Sequence, residues 1–285
     1  MNGSAEPWRH REAIVNGIRL HWVEAGAAGP LVMLLHGFPE FWYSWRFQLP
    51  VLAERFRVAA PDLRGYNLSE KPPAGYDPST LTDDVRELVR ALGEERAHIV
   101  GHDWGGVLAW VYAMRFPEAT DRLVILNAPH PARFAEEVRR PRQFFRSTYA
   151  LFFQLPRLPE LLLGANRCWL LARGMRRSAV NKAAFTDDVL ERYREAMSRP
   201  GSLTAALNYY RSARPGRMPA DARVRVPALI LWGVHDVALR KELTERLGRW
   251  VPELTVRYLE CGHWTQQERP EEVNQYLLEF LGVQD

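Results

Sequence analysis

Residues 97–115 read "AHIVGHDWGGVLAWVYAMR": a short apolar run, the turn "GHDWGG", then a long apolar run stopped before Pro117. A short apolar run ending in glycine reads as a buried strand, and the longer run closed by proline reads as a helix. Their junction carries one carboxylate, Asp103. A sharp strand-to-helix turn of this kind presents one side chain above the sheet, and in Gly-x-Ser-x-Gly that side chain is a serine hydroxyl. An aspartate in that place needs a chemical explanation.

Working outward, strand and helix patterns alternate. Residues 12–25, "EAIVNGIRLHWVEA", form a hairpin signal around Asn-Gly. "PLVMLLHG" (30–37) and "RVAAPD" (57–62) read as strands, with a helical stretch broken by Pro50 between them. "STLTDDVRELVRALG" (79–93) predicts a helix capped by Ser79 or Thr80 and closed by Gly93. "TDRLVILNAP" (120–129) predicts the sixth strand. From 129 to about 217 only helical periodicity remains, with prolines at 131, 141, 156, 159, 200 and 215. Alternation then resumes: strand 224–233, helix "LRKELTERLGRW" (239–250), strand 254–260, helix 269–282. Strand–helix alternation implies a parallel sheet with right-handed crossovers. The organisation expected is a core of 1–128 and 217–285 interrupted by a helical cap, 129–216.

Composition sets limits on function. The 285 residues are 47% hydrophobic and 25% charged, ordinary for a globular protein. No apolar run is long enough to span a bilayer, the first residues lack a secretory layout, and two cysteines make no disulfide framework. A cytoplasmic location is expected. Net charge is +4, but residues 133–182 hold ten Arg and one Lys against three Glu. No nucleic-acid-binding motif accompanies that basic block, so no nucleic-acid partner is expected. Most of these arginines are expected to solvate a helical surface; contact of the basic, partly apolar cap with anionic membrane is the alternative use of the charge.

Two further residues share the placement of Asp103. Asp236 follows a strand in "LILWGVHDVAL", and His263 follows the last strand in "YLECGHWTQQERP". All three fall at carboxyl ends of strands, where ligands bind in open α/β sheets. His36 and His102 sit at strand ends as loop supports, and His235 follows its strand too closely to act as a base. No zinc-ligand spacing and no nucleotide fingerprint occur, so neither metal nor cofactor is expected. A carboxylate attacking an sp³ carbon makes an ester that water can cleave, whereas a serine would make an inert ether. Asp103 therefore suits epoxides or alkyl halides. In a second step His263, oriented by Asp236, would activate water against the Asp103 carbonyl. The oxyanion so formed needs backbone N–H donors, for which Phe38 and Trp104 are candidates. A cis peptide is expected at Phe38–Pro39.

The stretches "HGFPEFWYSWRFQ", "APDLRGYNLSEKP", "GHDWGG", Asp236 and the "GHW" at His263 together resemble the soluble epoxide hydrolases of the α/β-hydrolase fold. That resemblance implies a mostly parallel eight-stranded sheet flanked by helices, with an inserted helical cap. It also implies an epoxide substrate, water as co-substrate, and two cap tyrosines that polarise the ring oxygen. Tyr149 in "TYALFFQLP" matches one; "LNYYRS" offers Tyr209 and Tyr210 for the other, and the family pattern favours Tyr210. Haloalkane dehalogenase is the nearest alternative. There a second halide donor is wanted, and position 38 is Phe where one dehalogenase group has Asn. A hydrolase fold that only binds a small molecule is the distant one, and it would need no acid-oriented base.

Overall fold

A computed structural model describes residues 7–213 and 218–282. Eight strands form one sheet: β1 (Arg9–Val15), β2 (Ile18–Ala25), β3 (Leu31–Leu35), β4 (Arg57–Pro61), β5 (Ala97–His102), β6 (Thr120–Leu126), β7 (Ala228–Gly233) and β8 (Leu254–Leu259). Their order is β1-β2-β4-β3-β5-β6-β7-β8. β1, β2 and β4 pair antiparallel, and β4 through β8 run parallel. The continuous apolar runs fall where both faces of a sheet are covered: every residue of β3, β5 and β7 is buried.

Helices α1 (Leu49–Leu52), α2 (Pro78–Ala91) and α3 (Trp104–Arg115) join the strands up to β6. Between β6 and β7 the described chain is helical: α4 (Pro131–Glu137), α5 (Pro141–Arg146), α6 (Thr148–Phe152), α7 (Leu158–Ser178), α8 (Asp187–Met197) and α9 (Ser202–Ser212). After β8 come α10 (Thr265–Glu268) and α11 (Pro270–Leu281). The expected end of the helical segment, between 216 and 217, lies outside the described residues. α7 is interrupted at Ala165–Cys168, where Asn166, Arg167 and Cys168 take left-handed backbone.

Three local expectations are corrected. α2 is capped by Asp77, whose carboxylate accepts the Thr80 N–H at 3.2 Å, not by Ser79 or Thr80. Pro78, which has no N–H to satisfy, can then open the helix. Pro50 lies in the first turn of α1 and starts it, and the 3₁₀ turn Trp42–Trp45 stands apart before it. The helix expected over 239–250 is only a 3₁₀ turn, Lys241–Thr244. Its backbone groups are claimed from elsewhere. Asp236 takes the N–H groups of Ala238 and Leu239, and the Arg133 guanidinium of α4 donates to the carbonyls of Glu242 and Glu245 at 3.1 and 3.0 Å. Arg246 then turns the chain with φ of 60°.

Candidate active site

Asp103 stands between β5 and α3 with φ 50° and ψ −119°, a conformation L residues rarely hold. Small neighbours make room for it. A Cβ at Gly37 would lie 2.5 Å from Asp103 Cβ, and one at Gly105 would strike the Leu35 carbonyl oxygen. The strained turn aims the carboxylate at two neighbours. Asp103 Oδ1 accepts the Phe38 N–H at 2.9 Å, and Oδ2 lies 3.5 Å from His263 Nε2. Phe38–Pro39 is cis, as expected.

His263 Nδ1 lies 2.7 Å from Asp236 Oδ2. Asp236 is buried, and its other oxygen holds Ala238 and Leu239 N–H groups at 2.7 and 2.9 Å. Asp103, Asp236 and His263 thus come together from the ends of β5, β7 and β8. Burial alone would push the His263 pKa down, but the charge of Asp236 and the contacts with both carboxylates outweigh it and hold it well above 6.5. Burial would push both carboxyls up; hydrogen bonding and the charge of His263 instead hold Asp103 and Asp236 below the usual carboxylate value. The resting group is an imidazolium between two carboxylates.

Above Asp103 lies a cavity of about 450 Å³, with Trp104, Val107, Phe134 and Leu239 among its apolar walls. Tyr149 from α6 and Tyr210 from α9 face into it, ring centroids 6.1 Å apart. Burial, then the Asp103 charge, raises Tyr149 above its ordinary value; burial, then the Tyr149 and Asp103 charges, raises Tyr210 well above its own. Both stay protonated phenols at neutral pH. Tyr149 keeps 39% of its surface exposed while also lining the cavity. Tyr209 turns away: it is fully buried and donates its hydroxyl to the Arg64 carbonyl at 2.8 Å. Of the two candidates in α9, Tyr210 is the one that lines the cavity. Trp104, the first residue of α3, packs its ring on Tyr210 at 4.9 Å.

Several supporting residues carry no motif of their own. Asn127 has φ of 41°; its amide donates to Asp236 Oδ2 at 2.7 Å while its oxygen accepts the Gly233 N–H at 2.9 Å. Buried Glu40 joins the Phe38 loop to the His263 loop. Its Oε2 accepts Gly37 N–H at 2.9 Å and pairs with His102 Nδ1 at 2.7 Å, and His102 Nε2 lies 2.9 Å from the His263 carbonyl. His36 bonds the Gly37 carbonyl and Leu63 N–H, so both strand-end histidines support loops. Glu268 ties the His263 loop to the helical segment. One oxygen takes Gly262 and Trp264 N–H at 3.1 and 3.3 Å, the other Val180 and Asn181 N–H at 2.7 and 2.9 Å. His235 pairs with Glu260 at 2.8 Å, away from the cavity. Among the described residues no cluster of His, Cys, Asp and Glu is arranged to hold a metal.

The family profile described as alpha/beta hydrolase fold matches residues 30–270. The AB hydrolase superfamily protein YfhM of Bacillus subtilis is 41% identical over 273 residues, covering 93% of this chain and 95% of that protein. Epoxide hydrolase 1 of Caenorhabditis elegans is 38% identical, covering 97% of this chain and 71% of that protein. The chain belongs to the epoxide-hydrolase family of α/β-hydrolases. The crystal structure of the Bacillus megaterium epoxide hydrolase in complex with an inhibitor superposes on this α/β-hydrolase with a TM-score of 0.89 at 32% identity. That match covers 96% of this chain and 100% of the other. No helix of this family member, among the described residues, is long and apolar enough to cross a membrane.

Proposed function

We propose that the protein hydrolyses epoxides to vicinal diols through an ester on Asp103. The observation that carries this reading is the pairing, in one cavity, of an elbow carboxylate with two phenols that remain protonated. The first step attacks a ring carbon with Asp103 Oδ2. The C–O bond breaks, its electron pair goes to the ring oxygen, and Tyr149 or Tyr210 supplies the proton that an alkoxide demands.

Esterification removes the Asp103 charge, one of the two attractions that keep His263 protonated. The imidazolium then gives its proton to the phenolate and becomes a neutral base. It next takes a proton from water, whose oxygen adds to the Asp103 carbonyl carbon. Oδ1 becomes the oxyanion, already seated on the Phe38 N–H at 2.9 Å, with the Trp104 N–H at the start of α3 as second donor. Collapse passes the carboxyl proton to the departing diol oxygen. Asp103 returns as a carboxylate beside an imidazolium, and epoxide plus water has become diol with every proton accounted for. Asp236 stays ionised throughout and orients the ring, as its donors from Asn127, Ala238 and Leu239 require.

Residues 129–216 are, in this reading, a cap domain that brings Tyr149 and Tyr210 over a core of 1–128 and 217–285. The two free, buried cysteines, Cys168 and Cys261, suit a cytoplasmic enzyme. The test is intact-protein mass spectrometry of His263→Gln with an aryl epoxide. A protein-plus-epoxide mass mapping to Asp103, absent in Asp103→Ala, is expected, while the wild type accumulates diol. No adduct from any epoxide, but an ester and free halide from a haloalkane, would make the enzyme a dehalogenase.

A further inference from the structure

The cap leaves an apolar surface uncovered beside the cavity. Of the fifteen large hydrophobic side chains exposed among the described residues, eleven lie between 144 and 180. Phe145, Leu151, Leu155, Leu158 and Leu161 are the sequence-central members, with Phe145 and Leu161 each 71% exposed. Their backbone is held in place. Arg211 of α9 donates to the carbonyls of Phe153 and Leu155 and pairs with Glu160 at 2.7 Å, and Gln154 donates to the Tyr210 carbonyl. A concentrated apolar surface on a folded protein marks an interaction site.

The charge around it names the partner. The basic block of residues 133–182 brackets these side chains. Arg133 and Arg140 pair with Glu137, whereas exposed Arg139, Arg142 and Arg157 have no carboxylate partner among the described residues. Arg139 and Tyr149, both exposed and both within this stretch of chain, also line the cavity. A second copy of the chain would bring like charge against like. An anionic surface would neutralise the arginines while the leucines and phenylalanines leave water. We propose that this cap face docks on anionic lipid bilayers as a peripheral contact, with the cavity mouth toward the lipid. Delivery of apolar epoxides from the bilayer follows only if the hydrolase reading holds; docking itself needs no turnover.

The experiment is co-sedimentation of the full chain with vesicles of phosphatidylcholine containing about 30% phosphatidylglycerol, against phosphatidylcholine alone. Partition to the anionic vesicles is expected, weakening steeply between about 0.05 and about 0.5 M salt as screening shortens the reach of the charges. Arg142→Glu with Arg157→Glu should weaken it at least about tenfold, at about fivefold per cation. Phe145→Ser with Leu161→Ser should also weaken it. Both pairs change exposed side chains, and hydrolysis of a water-soluble epoxide should stay at the wild-type rate. No partition to anionic vesicles, or equal partition of wild type and variants, would overturn the proposal. So would self-association in solution that these same substitutions abolish, since the occupant would then be a second copy. A chain that binds vesicles but opens no epoxide would sink the hydrolase reading and leave docking intact.

Discussion

His263 lies between two carboxylates that raise its pKa, and that coupling is measurable. Its native pKa lies above the ordinary 6.5, so the folded chain keeps a proton that the unfolded chain releases. The resulting stabilisation is complete below about 6.5 and is lost as pH rises through the native value. For Asp103 and Asp236, lowered from 3.8, the sign reverses: their contribution is present above that value and lost as pH falls through the native ones. Asp236→Asn removes the largest attraction on His263. The stability gap between wild type and Asp236→Asn, from urea midpoints, should therefore be widest near pH 5–6.5 and narrow at higher pH. The imidazole should titrate at lower pH in the variant by NMR. A gap unchanged from pH 5 to 9 would contradict the ion pair. At this scale Asp103, Asp236 and His263 were legible because each follows a strand. Asn127, Glu40 and Glu268 were not, since nothing near them in the chain marks a partner 62 to 109 positions away.

Besides their packed apolar faces, the elements around the site are joined by single buried polar side chains. Glu268 is the clearest, with four N–H groups from the His263 loop and the Val180 turn on its carboxylate. Glu268→Ala should leave those donors buried and unpaired, destabilising the protein by about 2–4 kcal/mol by denaturant unfolding. It should also lower kcat more than it raises KM, because the cavity lining is untouched while His263 loses its anchor. Glu268→Gln, which keeps one acceptor, should recover part of both. The same logic explains the missing helix at 239–250. Its apolar spacing was adequate, but Asp236 and Arg133 bind its backbone, and helical hydrogen bonds are worth less than those to charged groups. Propensity yields to a charged competitor supplied by another element.

Across the whole molecule the junction of β6 with the helical segment that follows it carries a buried histidine. His130 opens α4, stacks on Trp250 with centroids 5.0 Å apart, and reaches the Ala222 carbonyl through Nε2 at 3.0 Å. Its Nδ1 is buried with no acceptor among the described residues, so protonation there gains no hydrogen bond. Burial lowers its pKa to about 4. Below 6.5 the unfolded chain binds a proton the native state refuses, and stability should fall from pH 6.5 to about 4 by about 3 kcal/mol, levelling beneath. His130→Phe, which keeps the stacking, should flatten that acid slope in urea titrations. An equal slope in both proteins would place the acid sensitivity elsewhere.

By itself the sequence determined the alternation of strands and helices, the helical interruption after the sixth strand, and the three junctions bearing Asp103, Asp236 and His263. Those features are local: apolar period, glycine and proline punctuation, and residue type at a strand end are all written within a dozen residues. Only the tertiary structure decided that Tyr210 rather than Tyr209 enters the cavity, that Asp77 caps α2, and that 239–250 stays irregular. Adjacent helical residues point about 100° apart, and which one meets a neighbour depends on how the helix is rotated against the rest. Rotation is set by packing and by hydrogen-bond partners brought from distant segments, as the Arg64 carbonyl accepts from Tyr209 and the Glu242 carbonyl accepts from Arg133.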